Sequence, residues 1–324
     1  MFVEKRLIVQ FTHPGGEHSP DRGKSVKSWN TGGHKRKFML SNGSVVINDN
    51  LLKNKSLLFW GEWEPDSLII KVLNTPSGAF PKYLYKPIIE NLPNHSRQNT
   101  DPYVFGDNFY YFCCKQSKQG SPTQLGKLQK GSIILFGSTI NQTKPNAYFA
   151  LDTVFVVNEF IDYNSLNYDK MLAGKVDNDF FEISIKSRFN QFPQLANTKI
   201  QKKSSCLNTC MDNEETKKSS SCSTPTNIEN FRCYFGATFE KKVEGMYSFV
   251  PCKEYNDNSE GFERLKLTNA DFDFITNNLN ASPKYTTNRN VIEVWHKLKE
   301  ILKNKGFIEG VKFDFEKSNN LKTN

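Results

Sequence analysis

Long hydrophobic runs are missing from this 324-residue chain: no window approaches the eighteen or so uncharged apolar residues that a bilayer-spanning helix requires. No apolar h-region follows the opening MFVEKRLIVQF either, so a cytoplasmic protein with no membrane partner is expected. Cysteine is scarce and odd in number. Seven residues scattered over the chain do not form the dense even framework of a secreted disulfide scaffold, and reduced thiols are expected. The series Cys206-x3-Cys210-x11-Cys222-x10-Cys233 lacks the tight C-x2-C knuckles of structural zinc, so no metal site is assigned. A Walker A loop, a GxGxxG after a strand and a GxSxG elbow are all absent, which argues against an ATPase, a Rossmann enzyme and an α/β-hydrolase. The cofactor stays unknown. No repeat of solenoid period is visible.

What the chain does contain is a hydrophobic content of 37 % with 13 % aromatics, ample for a packed core. Its net charge is +9, and residues 1–60 hold ten Lys/Arg against four Asp/Glu. A basic face of this kind concentrates polyanions, of which nucleic acid is the commonest, although charge also serves solubility alone.

From residue 1 to about 160 the pattern is short apolar or aromatic runs bounded by turn residues: LIVQF, SVVI after an expected turn at Asn42-Gly43, LLFW, LIIKVL, YVF, NFYYF, SIILF and FALDTVFVV. Such runs predict strands. A β-rich, barrel-like amino-terminal region is expected here. Residues 201–230 are polar, Ser/Thr/Lys-rich and nearly free of large apolar side chains, which predicts a flexible insertion. Around it, residues 161–200 and 231–324 form a smaller α+β region with a short helix at 165–172, strands at ISIKSRF, FRCYFGATF and GMYSFVPC, and a helix starting at Thr268-Asn-Ala-Asp271. A terminal amphipathic helix is predicted from Asn290 to Asn304. Asn290 and Glu293 stand at capping spacing, Val291, Val294, Trp295, Leu298, Ile301 and Leu302 form one stripe, and Gly306 is the stop. The overall class is α+β.

Leu125-Gly-Lys-Leu-Gln-Lys-Gly131-Ser-Ile-Ile-Leu-Phe136, followed a dozen residues later by Tyr148-Phe-Ala-Leu-Asp-Thr-Val-Phe-Val-Val157, resembles the core of PUA-like domains of the ASCH and EVE kind. That resemblance covers a small part of the chain. It implies a small β-barrel that binds RNA or a single modified base.

Candidate site residues cluster in three stretches. In FTHPGGEHSPD, His13, Glu17 and His18 could bind a metal, exchange protons near neutral pH, or, with Arg22 and the backbone of Pro14-Gly15-Gly16, hold a phosphate; the plain alternative is a solvated glycine turn. Trp29 and Asn30 precede His34, Lys35, Arg36 and Lys37, a mixture suited to stacking a base and neutralising phosphate, or to blunting a strand edge. In FWGEWE, strand alternation sets Trp60 and Glu62 on one face and Trp63 on the other; Glu62 is the candidate general base. Cys113 and Cys114, read as neighbours on a strand, point to opposite sides. Asp152, an acid inside an apolar strand, calls for a partner such as Lys35 or Arg36.

Two functions follow from these residues. The first is a nucleic-acid or nucleotide-binding protein of a prokaryotic sort, whose catalytic-type residues His13, Glu17, His18 and Glu62 meet the basic and aromatic groups around one phosphate and base. The second is an enzyme acting on nucleotides or nucleic acid, a hydrolase or a base- or sugar-modifying transferase, with His and Glu as acid and base.

Overall fold

The structure is a computed structural model that describes residues 6–13, 15–19, 26–27, 35–65, 67–76, 78–89, 100–118, 121–141, 145–190, 230–276, 283–286 and 289–317. Strands account for 45 % and helices for 15 %, which makes the chain a mostly-β α+β protein. In a seven-stranded sheet the order is Lys284–Thr286, Ile8–Thr12, Ile133–Ile140, Tyr148–Asn164, Asn230–Gly236 and Tyr110–Tyr111, with Leu265–Leu267 beside Tyr148–Asn164. The eight-stranded sheet runs Ile308–Phe313, Val250–Glu254, Asn50–Gly61, Lys37–Ile47, Tyr83–Ile89, Ser67–Val72 and Val26–Lys27, with Glu316–Lys317 beside Tyr83–Ile89.

Both sheets mix strands from before residue 165 and after residue 229. The division anticipated near residue 160 therefore cuts through each sheet rather than between them. Tyr148–Asn164 is one 17-residue strand that pairs Ile133–Ile140 along its first half and Asn230–Gly236 along its second, the register shifting between Val157 and Glu159. Phe155 and Val157, with Val9, Phe11, Ile134 and Phe136 of the neighbouring strands, lie in a core rich in stacked and edge-on aromatic pairs such as Tyr110–Phe180 and Tyr111–Tyr234, while Ile8, Ile133, Leu135, Val154 and Val156 lie in a second core with Trp295 and Leu298. Among the described residues no helix is long and apolar enough to cross a membrane.

The terminal helix, Val291–Asn304, has the anticipated ends. The Asn290 side chain accepts from the Ile292 N–H at 3.0 Å and donates to Glu293 at 3.0 Å, and Gly306 adopts φ +71°. Trp295 is a core anchor, 2 % exposed, its indole N–H donating to the Tyr247 carbonyl.

Three local expectations are corrected. Residues 178–190, which include ISIKSRF, are helical throughout: Asn178–Phe180, a π-helical Phe181–Lys186, then Ser187–Asn190. Phe181, Ile185 and Phe189 recur every four residues, and a short apolar run does not distinguish that helical face from a strand. Thr268 and Asp271 do close a turn, both the N–H and the hydroxyl of Thr268 donating to Asp271, yet only single turns follow as far as Thr276. A segment of Asn, Asp, Phe and Ile has weak helix propensity.

Asn42-Gly43 lies inside the Lys37–Ile47 strand, and the hairpin turns instead at Asn48-Asp49, with φ +48° and +60°. These two left-handed residues match the right-handed twist of the flanking strands, as a type I′ turn requires. Gly43 has another task. A Cβ there would lie 2.0 Å from the Lys312 carbonyl oxygen of the paired strand Ile308–Phe313. Gly43→Val is expected to destabilise the protein by about 1–3 kcal/mol, read as a lower denaturant midpoint; an unchanged midpoint would show that the two strands can separate there without cost.

Candidate functional site: a thiol, an imidazole and a buried chain of charges

The strand Ile8–Thr12 is buried along its whole length and runs parallel to Ile133–Ile140, which delivers His13 to the sheet end with its N–H bonded to the Gly137 carbonyl at 2.7 Å. Its imidazole is 8 % exposed and meets the Phe11 ring edge-on. His13 Nδ1 lies 3.0 Å from Glu62 Oε2, an ion-pair distance, though off the line of a ring N–H hydrogen bond.

Glu62 and Arg36 come together through hairpin register. Lys37 pairs with Gly61, so the next positions outward are neighbours, and Arg36 Nη1 donates to Glu62 Oε2 at 2.8 Å. The same guanidinium donates through Nε to Asp152 Oδ2 at 2.7 Å. Asp152 owes its direction to a bulge: Phe136 pairs with Thr153 and Gly137 with Leu151, which leaves residue 152 as the extra one. Arg264 completes the chain, bonding Asp152 Oδ1 at 3.2 Å, the Ser138 hydroxyl at 2.9 Å and the Gly15 carbonyl at 2.9 Å. Two guanidinium groups and two carboxylates thus alternate within a nearly dry interior. Burial by itself would lower the Arg36 pKa, but Glu62 and Asp152 outweigh it and raise it.

On the other side of His13 is Cys114. The chain leaves the strand Tyr110–Tyr111 and wraps around one carboxylate, Asp101, whose Oδ1 accepts the Phe112 N–H at 2.9 Å and whose Oδ2 accepts the N–H groups of Cys113 and Cys114 at 3.0 and 2.8 Å. Lys115 then takes φ +59°. Successive N–H groups pointing one way are incompatible with a strand, so the opposed orientation anticipated for the two cysteines is corrected: the Cys113 and Cys114 side chains hydrogen-bond to each other, and Cys114 also to His13. The Cys113 thiol is buried and lies 3.4 Å from Asp101 Oδ2. Cys114 is half-buried. The hydrogen bond from Cys113, and then the imidazole of His13, pull its thiol well below the usual range against the opposing effect of burial. Burial pushes Cys113 the other way, well above that range. It also pushes up the Asp101 carboxyl, opposed by the three N–H donors.

Ligand-type atoms of Asp101, Cys113 and Cys114 lie within 4.8 Å of one another, but a metal there would compete with the three N–H groups that already occupy the carboxylate. The Lys115 ammonium beside this turn bonds the Thr12 carbonyl at 3.0 Å and lies over the Phe11 ring.

The remaining anticipated residues are dispersed. Glu17 accepts the N–H groups of Lys82 and Tyr83 at 2.8–3.0 Å, and burial raises its carboxyl despite those bonds. His18 is buried, its carbonyl taking the Tyr85 hydroxyl. Lys35 is exposed, whereas Lys37 is fully buried with its ammonium on the Pro65 carbonyl and the Ser67 hydroxyl. The basic run thus directs Arg36 and Lys37 inward instead of presenting them on an open face. Trp63 packs against Phe105 and Phe315 in the core. Trp60 donates to the Phe262 carbonyl at 2.7 Å and lies 5.5 Å from the Arg264 guanidinium. Arg22, Trp29, Asn30 and His34 lie outside the described residues, as do Pro14, Cys206, Cys210 and Cys222.

Sequence reasoning missed Cys114, Asp101 and Arg264. The adjacent cysteines were visible, but a strand was assumed beneath them; nothing local marks Arg264, more than a hundred residues from its partner Asp152. A cleft of about 1150 Å³ opens beside Gly15 and Trp60, with Lys82, Tyr148, Arg264 and Lys266 on its walls. Comparison with known proteins finds no family model, no curated protein and no solved structure that matches the chain.

Proposed function

We propose that this protein is an enzyme that acts on nucleotides or nucleic acid through a cysteine nucleophile. The observation that carries this reading is the sequence Cys114 thiol, His13 imidazole, Glu62 carboxylate, each in contact with the next, with the thiol drawn toward its anionic form. The Cys114 thiolate attacks an electrophilic carbon of the substrate, and the departing heteroatom takes its proton from the His13 imidazolium. In the second half-reaction His13 accepts a proton from water, whose oxygen displaces the sulfur and regenerates the thiolate. Glu62 is a positioning residue, fixing the ring, while Arg36 fixes Glu62.

The choice of substrate rests on the net charge of +9 and on the cleft beside Gly15, which Cys114, His13 and Glu62 do not line and where Lys82, Arg264 and Lys266 offer cations and Trp60 and Tyr148 offer rings. The resemblance of residues 125–157 to PUA-like barrels supports a base as part of the ligand. A cytoplasmic location, in which thiols remain reduced, suits the nucleophile.

Fluorescence titration of a labelled single-stranded oligonucleotide and of nucleoside triphosphates at low salt tests the substrate class. Lys266→Ala is expected to weaken binding about fivefold, the worth of ~1 kcal/mol. Cys114→Ala is expected to bind normally and to lose any covalent adduct that mass spectrometry finds on the wild-type peptide. Undetectable binding by the wild type would remove nucleotides from the reading, and binding without an adduct in any substrate mixture would favour recognition without chemistry.

A further inference from the structure

The two cysteines share one turn, one carboxylate and one hydrogen bond between their sulfurs, an arrangement that simple nucleophilic catalysis does not require. We propose that Cys113 and Cys114 are a peroxide-oxidisable pair, with Cys114 as the thiol that attacks the peroxide and Cys113 as the resolving one. That closure of the pair switches off the enzyme rests on the nucleophile reading above; formation of the bond does not.

Three features support it. Cys114 is the less buried of the two, and the imidazole beside it supports the thiolate that reacts. Cys113, 2 % exposed, is shielded from oxidants, yet hydrogen-bonded to the neighbouring sulfur and therefore next to any sulfenic acid formed there. Third, the Cys113 thiol lies 3.4 Å from Asp101, a carboxylate placed to receive the proton that Cys113 must lose before it attacks.

The chemistry balances as follows. The Cys114 thiolate attacks one peroxide oxygen, the O–O bond breaks, and the hydroxide released takes a proton to become water. The sulfur is now a sulfenic acid. Cys113 gives its proton to Asp101 and its sulfur attacks Cys114; the S–O bond breaks, and the second hydroxide leaves as water with that proton. Overall two thiols and one hydrogen peroxide give one disulfide and two waters. Neighbouring Cα atoms stand about 3.8 Å apart, below the roughly 4.4 Å minimum of unstrained disulfides, so the bond is strained and a dithiol reductant reopens it readily.

The test treats the full-length protein with hydrogen peroxide, blocks remaining thiols, and maps the tryptic peptide 98–115, which contains both cysteines. The expected product is this peptide lighter by two hydrogens, restored by dithiothreitol, with alkylation of Cys114 lost and regained in step. Cys113→Ser, with Cys113→Ala as a second variant should the first not fold, is expected instead to accumulate a dimedone-reactive sulfenic acid on Cys114 and then its higher oxides. Oxygen added to wild-type Cys114 without loss of two hydrogens, or a disulfide joining either residue to another cysteine, would overturn the pair. If Cys114 still alkylates rapidly at acidic pH in that case, the nucleophile reading stands alone; if the disulfide forms but alkylation is slow, the pair stands and the nucleophile reading falls.

Discussion

Alkylation of Cys114 by iodoacetamide is expected to slow much less between about pH 8 and about pH 6 than that of an ordinary thiol, which, with its pKa near 8.5, slows roughly a hundredfold over that interval. The sign follows from the thiolate as the reacting species: the hydrogen bond from Cys113 and the contact with His13 lower the Cys114 pKa, so the reactive form persists as the pH falls and is lost only below the depressed value. Following peptide 98–115 by mass spectrometry, with fragmentation to tell Cys114 from Cys113, separates this thiol from the other cysteines, and in Cys114→Ser the fast reaction should vanish. His13→Ala should return the profile toward that of an ordinary thiol. Glu62→Gln should move it the opposite way, toward lower pH, because the Glu62 charge raises the Cys114 pKa. A profile untouched by Glu62→Gln would assign that carboxylate to stability alone, and a wild-type rate that falls tenfold per pH unit from pH 8 downward would remove Cys114 as a nucleophile.

Arg36→Met should destabilise the fold by about 3–5 kcal/mol, the cost of leaving buried charge uncompensated. The guanidinium is 1 % exposed, and it joins Glu62, through Nη1, to Asp152, through Nε. Methionine fills much of its volume and restores none of its charge. Lysine should also fail, since a single ammonium cannot reproduce a planar fork aimed at two carboxylates. If the loss is electrostatic, the double variant Arg36→Met, Glu62→Gln should recover a substantial part of it, because Asp152 stays paired with Arg264 and no unbalanced ion then remains. Guanidinium chloride midpoints measure all three. A loss within ~1 kcal/mol for Arg36→Met would show that water or rearrangement compensates the two acids and that the chain of charges does not hold the site.

The parts legible in the sequence are those decided by near neighbours. Asn290, Glu293 and Gly306 mark the ends of Val291–Asn304 because caps act within one turn, and LIVQF and FALDTVFVV read as strands because no helical face suits them. Where two local readings were open, distant contacts chose between them. Residues 183–189 became helical, and Asn42-Gly43 stayed in its strand because Gly43 admits the Lys312 carbonyl.

The site divides in the same way. His13 and Glu62 were named from residue chemistry, and Asp152 from the need of a buried acid for a cation, but their meeting depends on the parallel pairing of Ile8–Thr12, the Lys37–Gly61 register and a bulge at residue 152. A strand would hold Cys114 away from Cys113, and the Asp101 carboxylate, gathering three N–H groups, turns the chain so that the two sulfurs lie together. The sequence by itself thus determined a mostly-β chain, its capped terminal helix and the residue types available for chemistry. Tertiary structure alone decided which of them touch, since strand register and buried ion pairing join positions as far apart as Gly15 and Arg264, beyond the reach of any local pattern.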